Sequence, residues 1–157
     1  MEFLSNYPIV SSLSAIVFAQ IIKIPIHFIA TKEFLPGLAF STGGMPSSHS
    51  AAVTSLTAAV GLIEGFDSTL FAVAAVFSII TMYDASGVRR HAGTHATLLN
   101  QLVKDFQILI DGAKNWENKE KYQKREDLKE LLGHQPIEVF FGAITGIIVA
   151  ISLYQLY

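Results

Sequence analysis

No cysteine occurs among the 157 residues, which excludes disulfides and thiolate chemistry. Charge is scarce as well. Only 15% of residues are Asp, Glu, Lys or Arg, against roughly 25% in an average soluble domain. The net charge of −2 gives no general attraction for nucleic acid. The N-terminus lacks both the basic start and the small-residue cleavage site of a signal peptide, so the first apolar segment is expected to stay in the mature chain. There is no internal repeat and no low-complexity tract. His91 and His95 stand four apart, as a helical metal pair would, but no carboxylate or cysteine completes a ligand set. No metal and no other cofactor is expected.

What the chain has is apolar residues, 51% of the total, gathered in long blocks. Blocks of that length suit membrane spans better than a soluble core. They fall at about 8–30, 48–63, 69–83 and 137–157, with a polar helical insertion over 84–135. The expected architecture is a single membrane domain over 1–157: an all-α integral membrane protein with four transmembrane helices plus amphipathic cytoplasmic helices. The third block is short for a span and can extend into the segment that follows. Within 84–135, Leu98, Leu102, Phe106 and Leu109 recur at helical spacing, predicting an amphipathic helix over 95–110. Lys121 to Leu132 reads as a charged, solvated helix ended by Gly133 and Pro136. Four spans put both termini on one side. Every Lys and Arg except Lys23 then falls in loops 31–47 and 84–135, which the positive-inside rule places in the cytoplasm. A bacterial-type inner or plasma membrane is expected.

The polar stretch Ser41-Thr-Gly-Gly-Met-Pro-Ser-Ser-His-Ser50 lies between the first two blocks. Gly43 and Gly44 permit turns that other residues resist. Pro46 suits a helix start, and Ser47 or Ser48 can cap it by accepting from free N–H groups. Small hydroxyl residues at a helix start make a natural seat for phosphate. His49 stands beside it as a proton donor. The alternative is a loop and a cap with no ligand.

Lys23 and His27 share a face of the first span. Lys23 either faces the bundle interior or snorkels to the interface; His27 reads as an interfacial or packing residue. Arg89 and Arg90 follow the third block. Their planar forks suit phosphate oxygens, and lipid headgroups at the interface are the other reading.

Pro46-Ser47-Ser48-His49 resembles the Pro-Ser-Gly-His motif of the type-2 phosphatidic-acid phosphatase and vanadium haloperoxidase superfamily. Arg89-x-x-x-Gly93-x-His95 resembles part of a second motif, Ser-Arg-x-x-x-Gly-x-His-x-x-x-Asp. The chain is still more similar to that superfamily's divergent branch of small membrane proteins. The shared marks are Phe40-Ser-Thr-Gly-Gly-Met-Pro-Ser-Ser-His-Ser, Tyr83-Asp-Ala-Ser-Gly-Val-Arg-Arg, Leu99-Asn-Gln-Leu and Leu131-Leu-Gly-His-Gln-Pro-Ile-Glu-Val. The resemblance implies hydrolysis of a lipid or isoprenoid phosphate through a phosphohistidine. His95 would be the nucleophile and His49 the leaving-group acid. Ser47, Ser48, Arg89 and Arg90 would bind phosphate, with Lys23 in the place of a first-motif lysine. The chain departs from the pattern at three places. Ala30 and Thr31 stand where Arg-Pro would follow Lys23, Val88 replaces the serine before Arg89, and Leu99 replaces the aspartate that orients the nucleophile. Asp84 or Glu138 can supply that carboxylate. On a continuous helix Arg89 and His95 sit about 240° apart, so they converge only if Gly93 breaks the helix or the segment starts as a loop. The expected partners are a lipid phosphate and membrane lipids, with no nucleic acid. The other reading is a non-catalytic phospholipid-binding, scaffold or carrier protein, and a carrier of four spans would need to be a homo-oligomer.

Overall fold

The computed structural model describes residues 5–40, 43–113 and 134–157, with only the backbone of Arg89, Arg90 and residues 108–113. Every regular element among them is helical: α1 (Tyr7–Thr31), a short 3₁₀ turn (Pro36–Phe40), α2 (Ser48–Glu64), α3 (Thr69–Ser86), α4 (Val88–Ala113) and α5 (Pro136–Tyr154). The charged segment 121–132, its cap Gly133, and Ser41 and Thr42 of the polar loop lie outside the described residues.

The distribution of side chains is inverted relative to a soluble protein. Large apolar residues face outward, among them Val17, Ile21, Val73, Ile80, Phe140 and Ile148. The interior is made of small and polar ones. Buried residues recur at near-fourfold spacing on three helices: Tyr7, Ser11, Ala15, Ala19 and Lys23 on α1; Ala51, Ser55 and Ala59 on α2; Gly142, Gly146 and Ala150 on α5. Helices surrounded by lipid gain little from hiding Leu or Ile and gather instead through small residues that let backbones approach. Among the described residues, three apolar stretches are long enough to cross a membrane, within Tyr7–Thr31, Thr69–Gln107 and Pro136–Tyr154. The chain is an all-α membrane protein.

α2 is the fourth helix of the bundle and its centre, touching α1, α3 and α5. It is the least apolar of the four because its neighbours cover it. Ser11 Oγ and Ser55 Oγ share a hydrogen bond of 2.7 Å between α1 and α2. Ser12 donates to the Ala52 carbonyl at 3.0 Å. On the other side Thr54 donates to the Ala143 carbonyl of α5 at 3.0 Å. Gly146 is the closest approach: a Cβ there would collide with the Ala51 carbonyl and Thr54 Oγ1.

Hydrogen bonds define the two ends of the bundle. At one end Tyr7 donates to the Ala150 carbonyl and Tyr157 to the Ser5 carbonyl, so the first and last helices meet at their outer termini. At the opposite end the Ser47 N–H donates to the Glu138 carbonyl (3.0 Å) and the His134 N–H to the Ala85 carbonyl (3.1 Å). This second end gathers the start of α2, the end of α3 and the start of α5.

The third span does not stop at residue 83. No helix breaker occurs in Tyr83-Asp-Ala-Ser86, so α3 runs on to Gly87. Only that residue leaves the helical conformation (φ −104°, ψ −90°) before α4 begins. α4 starts at Val88, seven residues before the predicted amphipathic helix. Among the described helices it packs against α3 alone.

Candidate functional site

Gly44 has φ +92°, a conformation that side chains resist, which explains a glycine there. Its open side faces Lys23: a Cβ at Gly44 would lie 3.8 Å from the lysine Cδ. Lys23 is only 2% exposed, so it turns into the bundle and does not snorkel. The Glu138 carboxylate is the charge that acts on it. A lysine held inside a membrane protein is expected beside a carboxylate or a polar site, and this one lies against the polar turn at Gly44.

After the cis Met45–Pro46 bond, Ser47 caps α2. Its side chain accepts from the Ser50 N–H at 3.3 Å, and the Ser50 hydroxyl donates to it at 3.1 Å. Ser47, Ser48 and Ser50 are buried. α5 fixes this turn from the side. Its Glu138 carbonyl accepts from the Ser47 N–H, and Gly142 leaves room for the turn: a Cβ there would lie 2.5 Å from the Ser47 carbonyl oxygen and 2.9 Å from Ser50 Cβ. Glu138 in turn closes a capping box at the start of α5, its Oε2 accepting from the Gln135 N–H at 2.9 Å. One residue therefore closes its own helix, braces the cap of α2 and carries a negative charge that acts on Lys23.

His49 is exposed at the rim. Its ring meets His134 edge-to-face with centroids 5.8 Å apart. His134 is buried, at 3% exposed, and its N–H ties it to the end of α3. Sequence reasoning did not assign His134 to the site. Its only signal was a place in the Leu-Gly-His-Gln-Pro mark, because spacing along the chain cannot bring residue 134 beside residue 49.

The second motif is arranged differently. α4 continues unbroken through Gly93, whose carbonyl accepts from Thr97 Oγ1 at 3.3 Å. Backbone positions 89 and 95 therefore lie on different faces of one helix. The side chains of Arg89 and Arg90 lie outside the described residues. His91, His95 and Leu99 are exposed, while Gly93, Ala96 and Asn100 form the buried face. Asp84 lies in the last turn of α3, next to the Ala85 that accepts from His134. The structure thus brings Lys23, Gly44, Ser47, Ser48, His49, His134 and Glu138 to one end of the bundle. It leaves His95 on a helix that approaches neither α2 nor α5.

Chemically, the assembled part can hold an anion. The start of α2 presents the positive end of a helix, Lys23 adds a buried cation, and His49 can give or take a proton at the rim. Comparison with known proteins agrees with this fold. A membrane protein of Bacillus subtilis (strain 168), described as the uncharacterized membrane protein YuiD, is 57% identical over 153 residues, which is 98% of this chain and 97% of that protein. No solved structure matches. The sequence pattern of the divergent PAP2 family runs through residues 4–149, from the start of the bundle into α5, and the chain belongs to that family.

Proposed function

We propose that this protein is a membrane phosphatase acting on a lipid or isoprenoid phosphate monoester or pyrophosphate. The observation that carries the reading is the convergence of buried Lys23, the Ser47 cap and rim-exposed His49 at one end of a membrane bundle. The cap and Lys23 hold phosphate oxygens, with Ser48, Arg89 and Arg90 as further donors. His49 protonates the leaving oxygen, an alkoxide from a monoester or a phosphate from a pyrophosphate. By family resemblance an imidazole nitrogen of His95 attacks phosphorus as the bond to the leaving oxygen breaks. Water then hydrolyses the phosphohistidine and releases inorganic phosphate. His134 positions His49 through their ring contact. The site faces the cytoplasm under the positive-inside rule.

A second reading, a non-catalytic protein that binds phospholipid headgroups, is favoured by one specific observation: His95 sits on α4, away from α2, with Leu99 in the place of the orienting aspartate. Purified protein, assayed in EDTA for phosphate release from short-chain phosphatidic acid and farnesyl diphosphate, separates the two. The phosphatase reading expects release that is lost in both His49→Gln and His95→Gln. Binding without release supports the second reading, and turnover that survives both substitutions overturns the assigned mechanism.

A further inference from the structure

The chain turns back on itself where α1 ends. Lys32 takes the left-handed conformation, φ 63°, and its N–H donates to the Phe28 carbonyl at 2.9 Å. Two residues later Phe34 walls a groove of about 570 Å³ together with Ile24, Pro25 and Phe28 of α1. Ile24 precedes Thr31 by seven residues, a descent of roughly 10 Å along the helix. The segment after α1 thus folds back beside the helix it has just left. The 3₁₀ turn that follows also packs against α1.

The face it joins is the outward one. Val17, Ile21, Pro25 and Phe28 are exposed and follow one another at three- and four-residue spacing, on a helix long and apolar enough to cross a membrane. Past Phe28 the exposed apolar surface continues through Ile29, Phe34, Leu35 and Phe40, the last of them 91% exposed. Contiguous exposed apolar residues mark a contact surface.

Backbone donors indicate what it touches. The Lys32 N–H is used by the cap, and the Glu33 N–H donates to Thr31 Oγ1 at 3.3 Å. Pro36 has no N–H, and the Leu38 N–H donates to the Leu35 carbonyl at 3.1 Å. Donors withdrawn from solvent in this way suit surroundings with little water. Irregular backbone exposed to lipid is not carried in the hydrocarbon core itself. The depth that meets both conditions is the boundary between headgroups and acyl chains, where apolar faces bury roughly 5–10 Å. Lys32 and Glu33, exposed at the reversal, are the charged groups at headgroup level.

We propose that residues 34–40 form a wedge set in the lipid leaflet at the polar end of the bundle, with Phe34, Leu35 and Phe40 among acyl chains. The partner of this surface is bilayer lipid, because the patch is continuous with the outward side of α1. The wedge also sets the depth of the polar turn. Phe40 stands four residues before Gly44, a chain length of at most about 14 Å. That reach holds the Gly44–Ser47 region at headgroup level, so an anionic headgroup enters it sideways from the leaflet. The wedge does not depend on the phosphatase reading.

The chain has no cysteine, so an introduced thiol is unique. Nitroxide labels at Phe34→Cys, Phe40→Cys, Ile21→Cys and Glu33→Cys are read by electron paramagnetic resonance in the full chain, reconstituted into palmitoyl-oleoyl phosphatidylcholine vesicles. All four positions are exposed, where substitutions cost little stability, and each label is read separately. Collisions with oxygen, which concentrates in lipid, are compared with collisions with a neutral nickel chelate, which concentrates in water. Ile21 gives the lipid value of the oxygen-to-nickel ratio and Glu33 the headgroup value. At positions 34 and 40 the ratio is expected to rise above that at Glu33 toward that at Ile21. Phe40→Asp is expected to lower the ratio read at position 34, because a charge lifts the wedge. Ratios at 34 and 40 no higher than at Glu33 overturn the proposal. Few collisions with either reagent also overturn it, and spin–spin broadening in that case identifies a second copy as the cover.

Discussion

The two motif-bearing regions of this protein, residues 43–50 and residues 89–99, are supported in opposite ways. The first is enclosed. Its serines are buried, its cap is hydrogen-bonded within itself, and α5 presses Gly142 against it. The second lies along α4, with His91, His95 and Leu99 exposed and α3 as the one described helix it packs against. A phosphoryl-transfer site needs fixed donors where charge develops, and in the first region hydrogen bonds and packing hold the Ser47 cap in place. The difference separates a turn held by packing against α5 from a motif on a helix whose described helix contact is with α3.

The comparison is open to attack by packing first. Gly146→Leu drives a side chain into the Ala51 carbonyl and Thr54 Oγ1. We expect a loss of about 3 kcal/mol, at the upper end of usual overpacking costs, read as thermal unfolding in detergent. Ala92→Leu, on the exposed surface of α4, is expected to stay within about 0.5 kcal/mol of wild type. Similar losses for both would erase the contrast.

A smaller effect tests charge. Lys23→Gln is expected to weaken calorimetric binding of a short-chain lipid phosphate by about tenfold, or about 1.4 kcal/mol. Lys104→Gln, exposed on α4, should leave that affinity unchanged. If the two variants bind alike, Lys23 is only a structural lysine.

Ser47→Ala removes the cap acceptor for the Ser50 N–H and is expected to cost about 1 kcal/mol of stability. Thermal unfolding at matched detergent checks this, and an unchanged midpoint would mean that the Glu138 carbonyl alone holds the turn.

The smallest expected stability change belongs to Leu99→Asp, within about 0.5 kcal/mol because Leu99 is exposed. It places a carboxylate four residues from His95, on the same helix face. Under the phosphatase reading phosphate release rises. A rate that does not move counts against His95 as the nucleophile.

Much of the fold is legible in the amino-acid order. The apolar blocks mark the helices, and the Gly-Gly and Ser-Ser elements mark a turn and a cap, which Gly44 and Ser47 form. These are local properties, set by backbone freedom and by the reach of a side chain to its own helix. The run of α3 almost into α4 is less legible. The polarity of residues 84–95 reads as the end of a span, whereas helix formation there depends only on the absence of a breaker before Gly87.

His134, and the Glu138 carbonyl that holds the Ser47 N–H, show what sequence reading could not reach. Eighty-five residues separate His134 from His49, and no periodicity relates them. By itself the sequence determined a helical membrane protein with a serine-capped polar turn and a lysine within its first span, because hydropathy and capping act over a few residues. Tertiary structure alone decided that Lys23 turns inward against the Gly44 turn, that α5 braces the Ser47 turn, and that His134 meets His49. The physical reason is backbone approach: the glycines of α5 and the small residues of α2 let the helices close far enough to bring these groups together.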